Sequence, residues 1–127
     1  MKVCVETSFE AAHYIPNHPK CGGDKQRGLC HGHTYQTKVV IEGRVGENGM
    51  VVDFGEVKKV LRQFDHCFIN YVAKKKDIEE LRIPTAENLA RYFAEKIREL
   101  GSFDLVKVTV WETADCSVTA QVVGVKQ

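Results

Sequence analysis

The chain contains no apolar run near the roughly 20 residues that a membrane-spanning helix needs, so no membrane partner is expected. Its opening, MKVCVETSFEAAH, lacks the apolar h-region of a secretory signal. Net charge is almost absent: 18 Lys and Arg stand against 17 Asp and Glu, a formal +1. That balance argues against bulk nucleic-acid binding, which needs a basic face, though not against a small anion held by a few local cations. No CxxC pair occurs among Cys4, Cys21, Cys30, Cys67 and Cys116, and the odd count argues against a disulfide framework. A reduced, cytoplasmic setting is expected instead. Repeats, low-complexity tracts and interdomain linkers are also missing. What remains is ordinary: 127 residues, 43% hydrophobic and 28% charged, enough for one domain over 1–127 and too few for two.

The hydrophobic pattern assigns the elements. Val3, Val5, Thr7, Phe9, Ala11 and His13 share one face of a strand over 2–13. Pro16, Pro19, Gly22, Gly23 and Gly28 mark a long loop, and HGHTYQTKVVIEG over 31–43 reads as a second strand. Asp53, followed three residues later by Glu56, opens a helix in the manner of a capping box. Phe54, Val57, Val60, Leu61 and Phe64 make its apolar face, and it is expected to stop near Asp65. Residues 65–84 read as irregular, with KKKDIEELR as a solvated surface. Thr85 caps a second helix with a stripe of Leu89, Tyr92, Phe93, Ile97 and Leu100, and Gly101 suits its C′ position. Strands over 104–112 and from Cys116 to about Val125 follow. The order β-β-α-α-β-β predicts an α+β domain: a four-stranded antiparallel sheet with two helices on one face.

Chemistry concentrates in a few residues. His31 and His33, two apart on a strand, point the same way and form half of a zinc site. His13, ending the neighbouring strand, is a third candidate ligand, and three neutral imidazoles with an open position are the catalytic zinc pattern. Three unrelated histidines are the plainer alternative. Asp65 beside His66 offers an acid/base pair, or simply a histidine at a helix C-terminus. Glu112 shares the face of Val106, Val108 and Val110, so its carboxylate lies at an exposed strand end or is aimed into a pocket. Cys21, in the glycine-rich loop, could serve as a thiolate near a metal. Cys30 points away from the His31/His33 face if the strand already begins there, and Cys4 and Cys67 are expected to fill small apolar spaces.

FEAAH at 9–13, LCHGHTYQ at 29–36, GMVVDFGEVKKVL at 49–61, FDHCFIN at 64–70, PTAENLA at 84–90 and VWET at 110–113 together resemble the 6-pyruvoyl-tetrahydropterin synthase family. That family includes prokaryotic 6-carboxy-tetrahydropterin synthases of the queuosine (7-deazaguanine, preQ0) pathway. The resemblance covers almost the whole chain. It implies a T-fold (tunnelling fold) subunit, barrel closure by several subunits, and a homohexamer of two stacked trimers. It implies zinc on His13, His31 and His33, an acid/base pair at Asp65 and His66, and a pterin held by Glu112 with help from Thr85. Cys21 would be the acid/base cysteine, although ten positions separate it from His31 where the family's gap is shorter, and Cys30 competes for the role. The implied reaction converts 7,8-dihydroneopterin triphosphate to 6-carboxy-5,6,7,8-tetrahydropterin, releasing acetaldehyde and triphosphate; Lys25 or Arg27 are candidate triphosphate contacts. The alternatives are a 6-pyruvoyl enzyme that stops after elimination, a non-catalytic pterin- or zinc-binding module, and a cupin. The cupin lacks support, since no Glu follows His33 within residues 35–41.

Overall fold

The computed structural model describes residues 1–16 and 30–124. Strands β1 (Lys2–His13) and β2 (His31–Gly43) pair antiparallel along their whole length, Lys2 opposite Glu42 and His13 opposite His31. Helix α1 (Phe54–Leu61) begins where Asp53 accepts a hydrogen bond from the Gly55 N–H at 2.8 Å. Its regular turns end at Leu61, four residues before the expected stop, and Phe64 continues the buried face from the following turn.

The stretch 65–84 is more ordered than its sequence indicates. A two-residue strand β3 (Cys67–Phe68) runs parallel to the end of β1, and helix α2 (Ile69–Lys75) and a 3-10 turn (Glu79–Leu81) follow. Two residues are too short for a period-two signal, and α2 fully buries just Ile69 and Ala73, with Val72 half-buried beside them. The lysines of the charged run are exposed, while Leu81 is fully buried. Helix α3 (Ala86–Arg98) is capped by the Thr85 hydroxyl, which accepts from Asn88 N–H at 3.2 Å. Gly101 does not occupy the left-handed C′ position that was expected, since Gly49 is the only described glycine with a positive φ. Gly101 is needed for space: a Cβ there would lie 2.9 Å from the Phe103 ring.

Strands β4 (Phe103–Thr113) and β5 (Cys116–Val123) complete a mixed five-stranded sheet of order β3-β1-β2-β4-β5. The α+β class stands, with one short strand and one short helix beyond the expected four and two. Helices cover one face. There Phe9 stacks on Tyr35 with centroids 4.8 Å apart and meets Phe93 edge-on at 5.8 Å, among buried Val39, Ile41, Val106, Val108 and Val110. Even-numbered residues of β1 point the other way, so Cys4 is exposed rather than packed; Cys67 is half-buried against the core. The four described cysteines are free thiols, and no described helix is long and apolar enough to cross a membrane.

Candidate active site

Three adjacent strands bring their chemistry to the same end of the sheet, on the helix-covered face. His13 closes β1, His31 opens β2 directly opposite it, and His33 pairs with Ala11 two residues on. Glu112 reaches the same place from β4, two residues beyond buried Val110. One donor atom from each of the four residues lies within 4.8 Å of the other three. His13 Nε2 is 3.1 Å from His31 Nε2, and Glu112 Oε1 is 2.7 Å from His33 Nε2 and 3.4 Å from His13 Nε2.

The surroundings determine which nitrogens face inward. His13 is wholly buried, and its Nδ1 lies 2.8 Å from the Pro84 carbonyl. A carbonyl can only accept, so Nδ1 carries the hydrogen and Nε2 turns its lone pair to the cluster. Tyr35 Oη lies 3.2 Å from the same Nδ1. Burial lowers the pKa of both His13 and His33, outweighing the carboxylate of Glu112, so both imidazoles are neutral at neutral pH. Burial also raises Tyr35 well above its ordinary value, so the hydroxyl keeps its proton.

This donor set fits a divalent transition metal. Imidazole nitrogens with a carboxylate oxygen suit zinc. His33 Nε2 is buried without a directed hydrogen bond, despite the carboxylate 2.7 Å away. Such an orphaned lone pair is costly unless a ligand shares it.

The remaining candidates stand apart from the cluster. Asp65 uses its carboxylate structurally: it accepts from Glu10 N–H at 2.9 Å and pairs with Arg62 at 2.7 Å. Arg62 also donates to the Ser8 carbonyl, tying β1 to the α1–β3 junction. The Glu10 N–H, above all, holds the Asp65 carboxyl below its ordinary range. His66 lies 3.8 Å from Asp65, beyond hydrogen-bond reach, with φ +60° and a side chain 78% exposed. It lines an open cleft of about 550 Å³ together with residues of β1, β2 and β3, among them Glu10, Gly32, His33, Thr34 and Phe68. Glu10, Ala12, Gly32 and Thr34 alternate with the buried residues of β1 and β2, so this cleft opens on the uncovered side of the sheet. His66 thus shares this cleft with His33 but is not one of the four clustered donors. Thr85 is half-buried next to the Pro84 carbonyl that orients His13. Cys30 is exposed. Cys21, Lys25 and Arg27 lie outside the described residues.

Sequence reasoning passed over Tyr35, Pro84 and Arg62. Tyr35 was readable, since HGHTY carries the period of two from His31 and His33 to a third inward side chain. The Pro84 carbonyl was not, because it meets His13 across 71 residues of chain.

The profile of the 6-pyruvoyl tetrahydropterin synthase family matches residues 2–122. The chain belongs to that family. A 6-carboxy-5,6,7,8-tetrahydropterin synthase of Synechocystis sp. is 37% identical over 119 residues, covering 85% of this chain and 83% of its own. A dihydroneopterin monophosphate aldolase of Pyrococcus furiosus is 30% identical over 117 residues, covering 87% and 89%. The structure of Caenorhabditis elegans 6-pyruvoyl tetrahydropterin synthase matches with a TM-score of 0.67 and 30% identity, over 96% of this chain and 95% of that one. The family's T-fold is thus the fold of this chain, which is accordingly a lyase-type enzyme directed at pterins.

Proposed function

We propose that the protein is a zinc-dependent 6-carboxy-tetrahydropterin synthase, acting on 7,8-dihydroneopterin triphosphate in 7-deazaguanine biosynthesis in the cytoplasm. The observation that carries this reading is the convergence of His13, His31 and His33 on one point in a chain of this family. These three residues would hold the metal, which as a Lewis acid acidifies the C–H bonds next to hydroxyls of the substrate side chain. Glu112 has two carboxylate oxygens for the pterin's ring N–H and amino group. The backbone at Thr85 borders the same space. Cys21 takes a side-chain proton as thiolate, and His66 exchanges another. Triphosphate leaves in the elimination, and acetaldehyde leaves when the carbon side chain is cut.

The position of His66 outside the donor cluster supports a site shared between copies, with His66 supplied by a neighbouring subunit. Unpaired sheet edges need a partner, and among the described residues β5 pairs only with β4, while β3 covers two residues of β1. A homohexamer of two stacked trimers satisfies both requirements.

The Pyrococcus furiosus relative favours a second reading, retro-aldol cleavage of a phosphorylated dihydroneopterin. Incubating the zinc-loaded protein with 7,8-dihydroneopterin triphosphate and identifying products by mass separates the possibilities. Acetaldehyde, read with alcohol dehydrogenase, supports the 6-carboxy product. Triphosphate without acetaldehyde indicates the 6-pyruvoyl reaction. A 6-hydroxymethyl pterin with a phosphorylated two-carbon aldehyde indicates the aldolase.

A further inference from the structure

The reading above gives Glu112 to the pterin. Its position carries a second role: we propose that, before substrate arrives, Glu112 is the fourth ligand of the metal held by His13, His31 and His33. The inference rests on the proposed metal site but goes beyond it, since an open catalytic zinc normally keeps water in that position.

Three observations point the same way. The first is spacing. Bonds of 2.0–2.1 Å to a tetrahedral zinc imply ligand–ligand edges of about 3.3 Å. The edges here are 3.1 Å for His13 and His31, 3.4 Å for His13 and Glu112, and 2.7 Å for His33 and Glu112. The carboxylate thus stands at ligand spacing from two of the histidines, and the remaining pairs of donor atoms lie within 4.8 Å.

The second is direction. His33 Nε2 and Glu112 Oε1 are close, yet no directed hydrogen bond joins them. A metal bound beside them would take both atoms as ligands. Among the described residues the ion pairs of Glu112 are with His13 and His33, not with Lys or Arg. A dication would give the carboxylate a counter-charge.

The third is the backbone. In the β4–β5 ladder Trp111 pairs with Ser117 and Thr113 with Cys116, so Glu112 is the extra residue of a bulge. A bulge re-aims a side chain and holds it. The bulge is placed at the one residue of β4 that meets the histidines.

Glu112 then cannot serve metal and pterin at once. Pterin binding draws the carboxylate away and opens the coordination position for a substrate oxygen. Ligand replaces ligand, and no proton or electron need change hands.

The test uses the full-length protein loaded with cobalt(II), without substrate. Wild type, Glu112→Gln and Glu112→Ala are compared by electron paramagnetic resonance in ordinary and oxygen-17 water, and by chelator competition. In wild type no line broadening by oxygen-17 water is expected. In Glu112→Ala, broadening appears as water takes the vacated position, and metal affinity falls by roughly tenfold or more. Glu112→Gln, which preserves the side chain's size, should behave likewise. Equal broadening and equal affinity in all three proteins overturn the fourth-ligand role while leaving the histidine site intact. If cobalt fails to bind wild type, or binds His31→Ala/His33→Ala equally well, the metal site itself falls and the inference with it.

Discussion

Asp65 illustrates how a residue with catalytic credentials is first employed in holding the fold. It joins the Glu10 amide and Arg62 and is held below the ordinary carboxyl range by those contacts. A depressed folded-state pKa contributes stability above the unfolded value, near pH 3.9, that is lost as pH falls through the folded value. Asp65→Asn is therefore expected to melt at a lower temperature than wild type at pH 7, with the gap closing at acid pH once the folded-state carboxyl is protonated. Melting curves at the two pH values check this, and equal Tm at pH 7 would refute it. Tyr35→Phe removes the hydroxyl 3.2 Å from His13 Nδ1 but leaves the Pro84 carbonyl in place. Metal affinity should fall by up to about tenfold, the low end for an outer-shell partner, as read by chelator competition. Cys21→Ala is expected to lower turnover by about 10² to 10⁴ with metal still bound, and Cys30→Ala far less. A dead Cys30→Ala beside an active Cys21→Ala would exchange their roles.

At the scale of elements, the sheet end opposite the imidazoles depends on one close approach. Gly124 follows β5, and its amide donates to the Asp104 carbonyl at 2.9 Å. A Cβ at Gly124 would fall 1.6 Å from the Phe103 carbonyl oxygen, so the backbone must part there. Gly124→Ala is expected to cost roughly 1–3 kcal/mol, as overpacking does. Urea denaturation reads the loss directly, and an unchanged midpoint would mean that β5 ends earlier. The start of α3 is the counterpart at the site. Thr85 caps the helix while the adjacent Pro84 carbonyl orients His13, so one short segment sets both the helix and the tautomer of a ligand.

At the scale of the whole molecule the proposed site is one shared between copies. The chain's four clustered donors do not include His66, which is exposed on a cleft beside His33. If active sites lie between copies, His66→Ala and His31→Ala/His33→Ala should each be inactive alone. Mixed at random before assembly, they should recover about a quarter of wild-type activity, because a heterologous interface can join the intact part of each. No recovery in verified mixed oligomers would place both functions within one chain. Light scattering should find a hexamer, and a stable monomer would contradict the shared site.

Local patterns determined much of this protein. Period-two alternation located β1 and β2 and put His13, His31 and His33 on one buried face, because strand geometry is set by adjacent residues. Capping residues located the starts of α1 and α3 for the same reason. Contacts across long stretches of chain lay beyond local patterning. β3 exists because β1 offers an open edge, and Asp65 is anchored by an amide 55 residues away. Whether Glu112 marked a strand end or met other groups depended on where β4 docks, and pairing with β2 brings its carboxylate beside His13 and His33. No spacing along the sequence encodes a position that only packing creates.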